Sequence, residues 1–148
     1  METIRPMNRN DLERCAKLLV ESYSEDPYYE NFVAGGGLQY LESKFEYCKE
    51  HSFLLEKNGV IAAFIIGSLS HWSNGPQAIV EEIVTAKNFR RRGYAKMLYD
   101  YLEKHFAKRC VKSVVLNVRR DSAAHVYHRN NNFVEVKDCV FMYKPLET

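Results

Sequence analysis

The sequence lacks several features that mark specialised classes of protein. Its four cysteines, Cys15, Cys48, Cys110 and Cys139, are widely spaced and form no Cys-x-x-Cys pair, so neither a zinc site nor a disulfide framework is indicated. No apolar run reaches the 18 residues of a membrane-spanning helix. The polar beginning, METIRPMNRNDLERC, lacks the apolar core of a signal peptide. We therefore expect a cytoplasmic protein with reduced thiols, no metal and no membrane partner.

A strong excess of charge of one sign is also missing. The net charge is only +2, which is too small to predict nucleic-acid binding by bulk electrostatics. The Gly-x-x-x-x-Gly-Lys-Ser/Thr and Gly-x-Gly-x-x-Gly patterns are absent, which argues against a nucleotide triphosphatase and a dinucleotide-binding enzyme. With 148 residues, 46% of them apolar and 27% charged, the composition is typical of one soluble domain spanning residues 1–148.

What the sequence does contain is an alternation of helical and strand patterns that predicts a mixed α/β domain. Asn58-Gly59 is a strong hairpin signal, because both residues of that turn need a positive φ, and the apolar run that follows predicts a strand buried on both faces. Asn10 or Asp11 is expected to cap the first helix. Predicted helices cover residues up to 24, 38–51, from 93 onwards and 121–130. Predicted strands are 3–7, 52–57, 60–69, 78–85, 113–118, 133–138 and 140–144, with a loop over 72–77.

The most informative segment lies between a predicted strand and a predicted helix, and reads Arg90-Arg91-Arg92-Gly93-Tyr94-Ala95. A helix start presents unpaired backbone N–H groups and a partial positive charge, which suit a phosphate. Gly93 and the small Ala95 permit close approach of a ligand to the backbone. Five cations and no acid lie between residues 87 and 96. A solvated basic loop would show the same run of charge, so the run alone does not decide between the two.

Arg-x-x-Gly-x-Ala after an acidic and apolar strand resembles the acetyl-CoA-binding motif of the GNAT superfamily of N-acyltransferases, and the order of elements resembles that family throughout. The resemblance implies a mixed, mostly antiparallel sheet of six to seven strands with about four helices, and a V-shaped opening between two parallel strands. It implies acetyl-CoA as co-substrate. It further implies cofactor contacts from the backbone of Ile83, Val84 and Thr85 and from Arg90, Arg91, Arg92, Gly93, Tyr94 and Ala95. Thr85 and Lys87 depart from the family's frequent valine and proline, but neither removes a needed amide.

Transfer of an acetyl group to an amine needs a base, because a free amine is charged at neutral pH. Glu81 and Glu82 lie on the predicted strand before residues 90–95, which we call the phosphate turn. They resemble the Glu-Asp or Glu-Gly pairs found there in polyamine and aminoglycoside acetyltransferases. Adjacent strand residues point to opposite faces, so we expect at most one of them to face the amine. Glu81, acting through water, is the first candidate for the base. Glu82 is the second candidate and is also placed at the substrate site.

A proton donor for the leaving thiolate is expected on the helix that starts near Asp121. The segment 121–133 resembles the family's Asn-x-x-Ala-x-x-Leu-Tyr-x-x-x-Gly-Phe pattern, which implies that Asp121 and Ala124 contact the cofactor. A gapless comparison puts His128 on the tyrosine and Asn132 on the glycine, and asparagine tolerates the left-handed conformation. Anchoring on the tyrosine itself selects Tyr127, which keeps its proton at neutral pH. Both candidates stay open.

The acceptor side is predicted in residues 21–30, which hold four acids, three tyrosines and no base. Carboxylates and aromatic faces both favour ammonium groups, so this segment suits a cationic small-molecule amine, although a solvated acidic loop is the simpler explanation. A protein N-terminus or lysine is an alternative acceptor, a non-catalytic CoA-binding module is an alternative function, and a homodimer is possible. The substrate-binding candidates are Glu25, Asp26, Tyr28, Tyr29 and Glu82.

Overall fold

The computed structural model describes residues 1–147, and these form five strands and four α-helices. The chain divides into two compact units, the first being Met1–Asn117 and the second beginning at Val118; each is described by itself. The strands are β1 (Glu2–Pro6), β2 (Ser52–Lys57), β3 (Val60–Trp72), β4 (Gly75–Thr85) and β5 (Val114–Val115). The helices are α1 (Leu12–Tyr23), α2 (Gly36–Cys48), α3 (Tyr94–Ala107) and α4 (Ala123–Asn130), and short 3-10 turns cover Arg9–Asp11, Lys49–His51 and Lys87–Phe89.

The five strands form one mixed sheet in the order β1-β2-β3-β4-β5. The first four pair antiparallel, and β5 pairs parallel to β4 through two residues only. The mixed, mostly antiparallel sheet and the four helices match the expectation. The expected six to seven strands do not, since the described chain has five.

The missing strands are those predicted at 133–138 and 140–144. In the described chain no residue after Asn130 belongs to a helix or a strand. The residue types there favour extended backbone, but a strand exists only where its N–H and C=O groups pair with a neighbour. The prediction of these two strands from local pattern was therefore wrong.

The hairpin at Asn58-Gly59 is confirmed, with φ of 52° and 78° at the two residues. The strand that follows is buried from Ile61 to Ser68, as the apolar run predicted. The expected loop at 72–77 is wrong, because β3 and β4 remain paired as far as Trp72 and Gly75. Pairing of the strands continues almost to the turn and leaves a tight connection.

Helices cover both faces of the sheet. One core lies between the sheet and the helices α1 and α2. It includes Leu19 of α1, Phe45 of α2 and Phe64 of β3. On α3, Leu98, Leu102 and Phe106 are buried, and Tyr101 packs its ring 4.8 Å from Phe53. Because strand side chains alternate between faces, β2 and β3 supply apolar residues to both layers.

The helix α1 begins at Leu12, directly after Asp11. Asp11 is the N-cap residue of α1, one of the two predicted alternatives, although its side chain makes no capping hydrogen bond to that helix. Asn8 caps the 3-10 turn that leads into α1, in a capping box with Asp11. Asp11 is buried and accepts hydrogen bonds of 2.8 Å from both terminal nitrogens of Arg5. This pairing with Arg5 lowers the pKa of Asp11 and ties β1 to the start of α1.

Candidate active site

The turn between β4 and α3 has the backbone of an anion-binding site. Arg91 and Gly93 both adopt left-handed conformations, with φ of 61° and 79°, and alternation of this kind aims successive N–H groups into one concavity. Gly93 is the N-cap of α3, and no side chain caps the helix there. The first turn of α3 therefore has no side-chain cap, an arrangement that suits a phosphate.

The cations around this turn differ in their partners. Arg90 is held by the carboxylate of Glu25 at 3.0 Å and by the carbonyl of Thr85 at 3.2 Å. Lys96 pairs with Asp100 one helical turn away, and the guanidinium of Arg92 lies 5.4 Å from the centre of the Phe89 ring. Lys87, Arg90, Arg91 and Arg92 are all exposed to solvent, but Arg90 is anchored by its bonds to Glu25 and Thr85.

Along β4, the edge away from β3 is paired for only a short distance. The strand pairs with β5 at Ala78 and Ile79; from Val80 to Thr85 no strand of the described residues lies on that side. This is the opening between two parallel strands that the resemblance implied. Ile83, Val84 and Thr85 can therefore offer backbone groups to an extended ligand, as a further strand would.

A β-bulge places both acidic residues of β4 on the side of α2. Ile66 pairs with Glu82, but the next residue, Gly67, pairs with Val80, so Glu81 is the extra residue of a bulge. Glu82 contacts Tyr40 and Glu81 contacts Lys44. The expected alternation of the two carboxylates is therefore wrong here, because the bulge breaks the period of two.

The carboxylate of Glu82 is held by two tyrosines. The hydroxyls of Tyr23 on α1 and Tyr40 on α2 donate to its two oxygens, at 2.9 and 2.7 Å. Burial raises the pKa of Glu82, against the lowering effect of these two bonds. Burial and the charge of Glu82 in turn raise the pKa of both tyrosines, so they stay protonated donors. Each carboxylate oxygen has a further lone pair for a proton.

The carboxylate of Glu81 forms an ion pair with Lys44 and a hydrogen bond with Ser68. Its Oε2 lies 2.9 Å from the ammonium of Lys44, and its Oε1 accepts a hydrogen bond of 2.9 Å from the hydroxyl of Ser68. The side chains of Glu81 and Lys44 are 19% and 23% exposed, so water screens this pair only in part. Two adjacent carboxylates thus share one cation, and the described cluster keeps a net negative charge.

The predicted acceptor segment is spread over several environments. Glu25 makes the ion pair with Arg90, so it joins the end of α1 to the phosphate turn. Tyr28 packs edge-on against Tyr23 with ring centres 4.9 Å apart. It therefore adjoins the tyrosine whose hydroxyl donates to Glu82. Asp26 and Tyr29 are exposed, and Tyr29 adopts a φ of 47°. Of the four, only Tyr28 lies beside the acidic cluster.

A cavity of about 340 Å³ lies between the end of α1 and the segment that follows β4. It is lined by Leu18, Glu21, Ser22, Ser24, Glu25, Ala86, Lys87 and Arg90. Carboxylates line one part and cations another, so the cavity suits a ligand with groups of both charges.

In the second unit, α4 presents Tyr127 and His128 in different states. His128 is buried, and its Nδ1 lies 2.6 Å from the carbonyl oxygen of Ala124. A carbonyl only accepts, so Nδ1 carries the proton. Burial lowers the pKa of His128, which favours the neutral ring. Tyr127 is half-buried, and its ring meets that of His128 edge-on at 5.3 Å.

Both ends of α4 are flanked by a residue in the left-handed conformation. Asn132 has a φ of 69°, which asparagine tolerates. The amide of Phe133 donates to the carbonyl of His128 at 3.0 Å and closes the helix. At the other end Asp121 also has a positive φ, of 61°, and its amide donates to Nδ1 of His125.

The family follows from a match over most of the chain. Residues 11–133 match the model of the acetyltransferase (GNAT) family. The chain belongs to this family. It is accordingly an N-acetyltransferase that uses acetyl-CoA, and the resemblance seen in the sequence is confirmed. A search of curated proteins gave no match.

Solved structures agree with the GNAT fold. The aminoglycoside acetyltransferase AAC(6')-Iy, in complex with a CoA-S-monomethyl-acetylneamine bisubstrate analogue, is 23% identical with a TM-score of 0.74, over 99% of both chains. A possible acetyltransferase from Clostridium difficile 630 is 16% identical with a TM-score of 0.82, over 99% of both chains. The ribosomal-protein-alanine N-acetyltransferase from Brucella melitensis biovar Abortus 2308 is 18% identical with a TM-score of 0.74, over 97% of this chain and 99% of the other.

The geometry fits acetyl-CoA, the co-substrate of GNAT enzymes. The left-handed turn at Arg91 and Gly93 suits the pyrophosphate, and the open edge of β4 suits the pantetheine arm. In the described part of the chain, no helix is long and apolar enough to cross a membrane. No group of three or more metal-ligating side chains occurs among residues 1–147.

Sequence reasoning missed the partners of the acidic pair. Tyr23, Tyr40, Lys44 and Ser68 are distant from β4 in sequence, and none belongs to a recognisable motif. Tyr40 and Lys44 lie four residues apart on α2, so they share one face of that helix. The shared face of this tyrosine and lysine, beside the buried Leu41 and Phe45 of the same helix, was the one available signal.

Proposed function

We propose that this GNAT enzyme transfers the acetyl group of acetyl-CoA to a primary amine of a cationic small molecule, by direct attack of the amine on the thioester. The observation that carries this proposal is the acidic cluster of β4. Glu81 and Glu82 share a single cation, Lys44, and tyrosine rings adjoin them. An excess negative charge beside aromatic faces favours an ammonium group.

Glu82 is the residue we assign to proton removal from the amine. Acetyl-CoA supplies an activated acyl group with a good leaving thiolate. The amine nitrogen forms the new C–N bond as the C–S bond breaks, and it must first lose a proton. Burial moves the pKa of Glu82 upward, toward the range in which a carboxylate serves as a base at neutral pH.

Glu81, our first candidate from the sequence, is assigned the role of holding charge and position. Its carboxylate is engaged by Lys44 and Ser68, so protonating it would sacrifice an ion pair. Glu82 loses no cation on accepting a proton, because its partners are neutral hydroxyls. The difference in partners supports Glu82 as the base.

Tyr127 is the residue we assign to protonation of the CoA thiolate. The alternative, His128, already donates its Nδ1 proton to Ala124, and burial favours its neutral form. A neutral imidazole with its remaining nitrogen unprotonated is a poor acid. Tyrosine, in contrast, carries its proton at neutral pH.

Replacing the donor tests this assignment. Tyr127→Phe keeps the ring and removes the hydroxyl, so turnover should fall at least about tenfold, or ~1.4 kcal/mol of barrier. His128→Gln is the comparison and should lose less. Steady-state CoA release gives both values. The reverse ranking would move the role to His128, and near-normal turnover in both variants would mean that the thiolate leaves without a protein acid.

Transfer to a protein is the competing function, and one neighbour favours it. The ribosomal-protein-alanine N-acetyltransferase has the same TM-score, 0.74, as the aminoglycoside enzyme. The test is CoA release with a panel of polyamines, aminoglycosides, amino acids and peptides. We expect the highest kcat/KM for polyamines or aminoglycosides. Release with peptides alone would support protein acetylation, and binding of acetyl-CoA without release for any amine would indicate a non-catalytic module.

A further inference from the structure

Lys44 lies in surroundings that have the chemistry of an ammonium-binding site. Its Nζ is 2.9 Å from Oε2 of Glu81, and it lies 5.6 Å from the ring centre of Tyr40 and 5.9 Å from that of Tyr47. A carboxylate together with aromatic faces within about 6 Å is an arrangement that binds ammonium groups. Tyr40, Lys44 and Tyr47 are three or four positions apart, so they share one face of α2. The chain therefore fills one ammonium site with its own side chain.

The ammonium of Lys44 keeps its charge in this site. Burial lowers the pKa of Lys44, but its interactions with Glu81 and Tyr47 raise it, and the net shift is upward. The carboxylate of Glu81 also accepts a hydrogen bond of 2.9 Å from Ser68, which is buried. The side chains of Lys44 and Glu81 are 23% and 19% exposed, and Tyr47 is exposed. The ion pair thus borders solvent, from which an acceptor arrives.

A second carboxylate site of similar chemistry adjoins this one, and its partners are neutral. Glu82 is held by the hydroxyls of Tyr23 and Tyr40. Tyr40 belongs to both sites, because its hydroxyl donates to Glu82 and its ring faces the ammonium of Lys44. Burial raises the pKa of Glu82, the charge of Lys44 lowers it, and the charge of Glu81 raises it. The two sites therefore lie within electrostatic reach of each other.

We propose that Lys44 sets the acceptor specificity of the enzyme, because its ammonium occupies a site beside Glu81 that would otherwise take a second ammonium group of a diamine. This inference rests on the proposed function, in which the reacting amine lies at Glu82. The charge of Lys44 repels a second cation on the acceptor, so specificity comes from a repulsive element. The favoured acceptor has one ammonium group at the acidic pair, and any further cations lie away from Glu81.

Removing the charge of Lys44 tests the proposal. For each variant, kcat/KM is measured from CoA release with putrescine and with butylamine, which have the same carbon chain and differ by one ammonium group. We expect Lys44→Met, which keeps an apolar stem, to raise the ratio of diamine to monoamine about tenfold. A change in the pKa of Glu82 affects both amines alike, so it does not produce this rise.

Two variants control for charge and for position. Lys44→Arg keeps the positive charge and should leave the ratio near that of the wild type. Lys57→Met removes a lysine from an ion pair with Glu2, outside the acidic pair, and should also leave the ratio unchanged. A rise in the ratio in either variant would show that the effect does not come from the charge at position 44.

The carboxylate of Glu81 must be the source of the gain if the ammonium site exists. In the double variant Glu81→Gln/Lys44→Met, the ratio should therefore return toward that of the wild type. Circular dichroism confirms folding, and Lys44→Gln replaces Lys44→Met if the methionine variant does not fold. An unchanged ratio in the folded single variant, or an equal rise in the double variant, would overturn the proposal.

Binding measurements separate this proposal from the proposed function. Calorimetry with putrescine in the presence of CoA requires no transfer, and Lys44→Met should lower the Kd about tenfold, with little change for butylamine. Turnover of both amines with an unchanged ratio would contradict the role of Lys44 and leave the proposed function standing. A wild type that releases no CoA with any small amine would contradict the proposed function, and the Kd for putrescine would still decide whether Lys44 fills an ammonium site.

Discussion

The phosphate turn and the acidic pair of β4 adjoin each other in sequence but are built differently. At the turn, we propose that backbone amides bind the pyrophosphate, and two residues there, Arg91 and Gly93, have left-handed conformations. At the acidic pair, the important groups are side-chain oxygens, and Tyr23, Tyr40, Lys44 and Ser68 from three other elements hold them. The turn is local, whereas the acidic cluster depends on the tertiary fold.

This difference decides which substitutions matter in each region. At the turn, we expect the loss of one charged side chain to weaken acetyl-CoA binding only a little. A residue that disfavours the left-handed backbone conformation should weaken it strongly. At the acidic pair, we expect side-chain groups to matter most. Loss of a single hydroxyl that donates to Glu82 should alter the pKa of that carboxyl. The following experiments test that contrast.

The largest effect is expected at Gly93. A β-branched residue disfavours a φ of 79°, so Gly93→Val should weaken acetyl-CoA binding by about 2 kcal/mol or more, roughly thirtyfold in Kd. Gly93→Asn, which tolerates the left-handed conformation, should cost only a few-fold. Calorimetry on both folded variants measures this. Equal losses in the two would show that the backbone conformation is not what matters.

A smaller effect is expected at Tyr40. Its hydroxyl stabilises the charged form of Glu82, so Tyr40→Phe should raise the pKa of that carboxyl. The acidic limb of kcat/KM should move upward by about one unit, which lowers activity up to about tenfold at pH 6 and leaves it unchanged at pH 9. Tyr101→Phe, on α3, is the control. A loss of equal size at every pH would indicate a packing effect instead.

A still smaller effect is expected at Arg91, since its side chain is exposed. Arg91→Asn removes the charge but keeps a residue that suits a φ of 61°. The Kd for acetyl-CoA should rise about two- to fivefold, and less at high salt, as for a screened charge. If Arg91→Asn weakened acetyl-CoA binding as much as Gly93→Val, the arginine side chain rather than the backbone would be the main source of affinity at the turn.

The smallest effect concerns pH and the fold. Arg109 approaches Nδ1 of His105, which leaves Nε2 of His105 to donate to Nδ1 of His51 at 2.9 Å. Burial, with Arg109, Lys108 and His51 nearby, lowers the pKa of His105 to about 4, although Glu50 opposes this.

Between pH 6.5 and 4, His105 therefore binds a proton in the unfolded chain but not in the folded chain. The free energy of unfolding should fall as the pH drops through this window. The expected fall in Tm is a few degrees, and it should be shallower in His105→Phe, which keeps the ring packing. A slope of Tm against pH that is the same in both proteins would contradict this assignment.

Much of the phosphate turn could be predicted from the sequence, because its signals are local. Gly93, the cations and the start of α3 all lie within a few residues, and the hairpin at Asn58-Gly59 is local in the same way. The opening between β4 and β5 followed from the family resemblance.

The acidic cluster could not be predicted, because it depends on register and on distant contacts. The bulge at Glu81 exists only in the pairing of β3 with β4. Tyr23 and Tyr40 reach Glu82 from 59 and 42 residues away in sequence. The strands expected at 133–138 and 140–144 were wrong for a related reason, since a strand forms only by pairing with a neighbour, and no described residue after Asn130 is paired in the sheet.

The pH dependence of kcat/KM for Glu82→Gln and Glu81→Gln tests the central claim most directly. With a reactive amine, Glu82→Gln should lower kcat/KM about a hundredfold at pH 7, and the loss should shrink toward pH 10, where more of the amine is already neutral. The Kd of Glu82→Gln for acetyl-CoA should not change. Glu81→Gln should lose less kcat/KM than Glu82→Gln, and its loss should not shrink as the pH rises. A larger, pH-dependent loss in Glu81→Gln, or wild-type activity in Glu82→Gln at pH 7, would contradict the account.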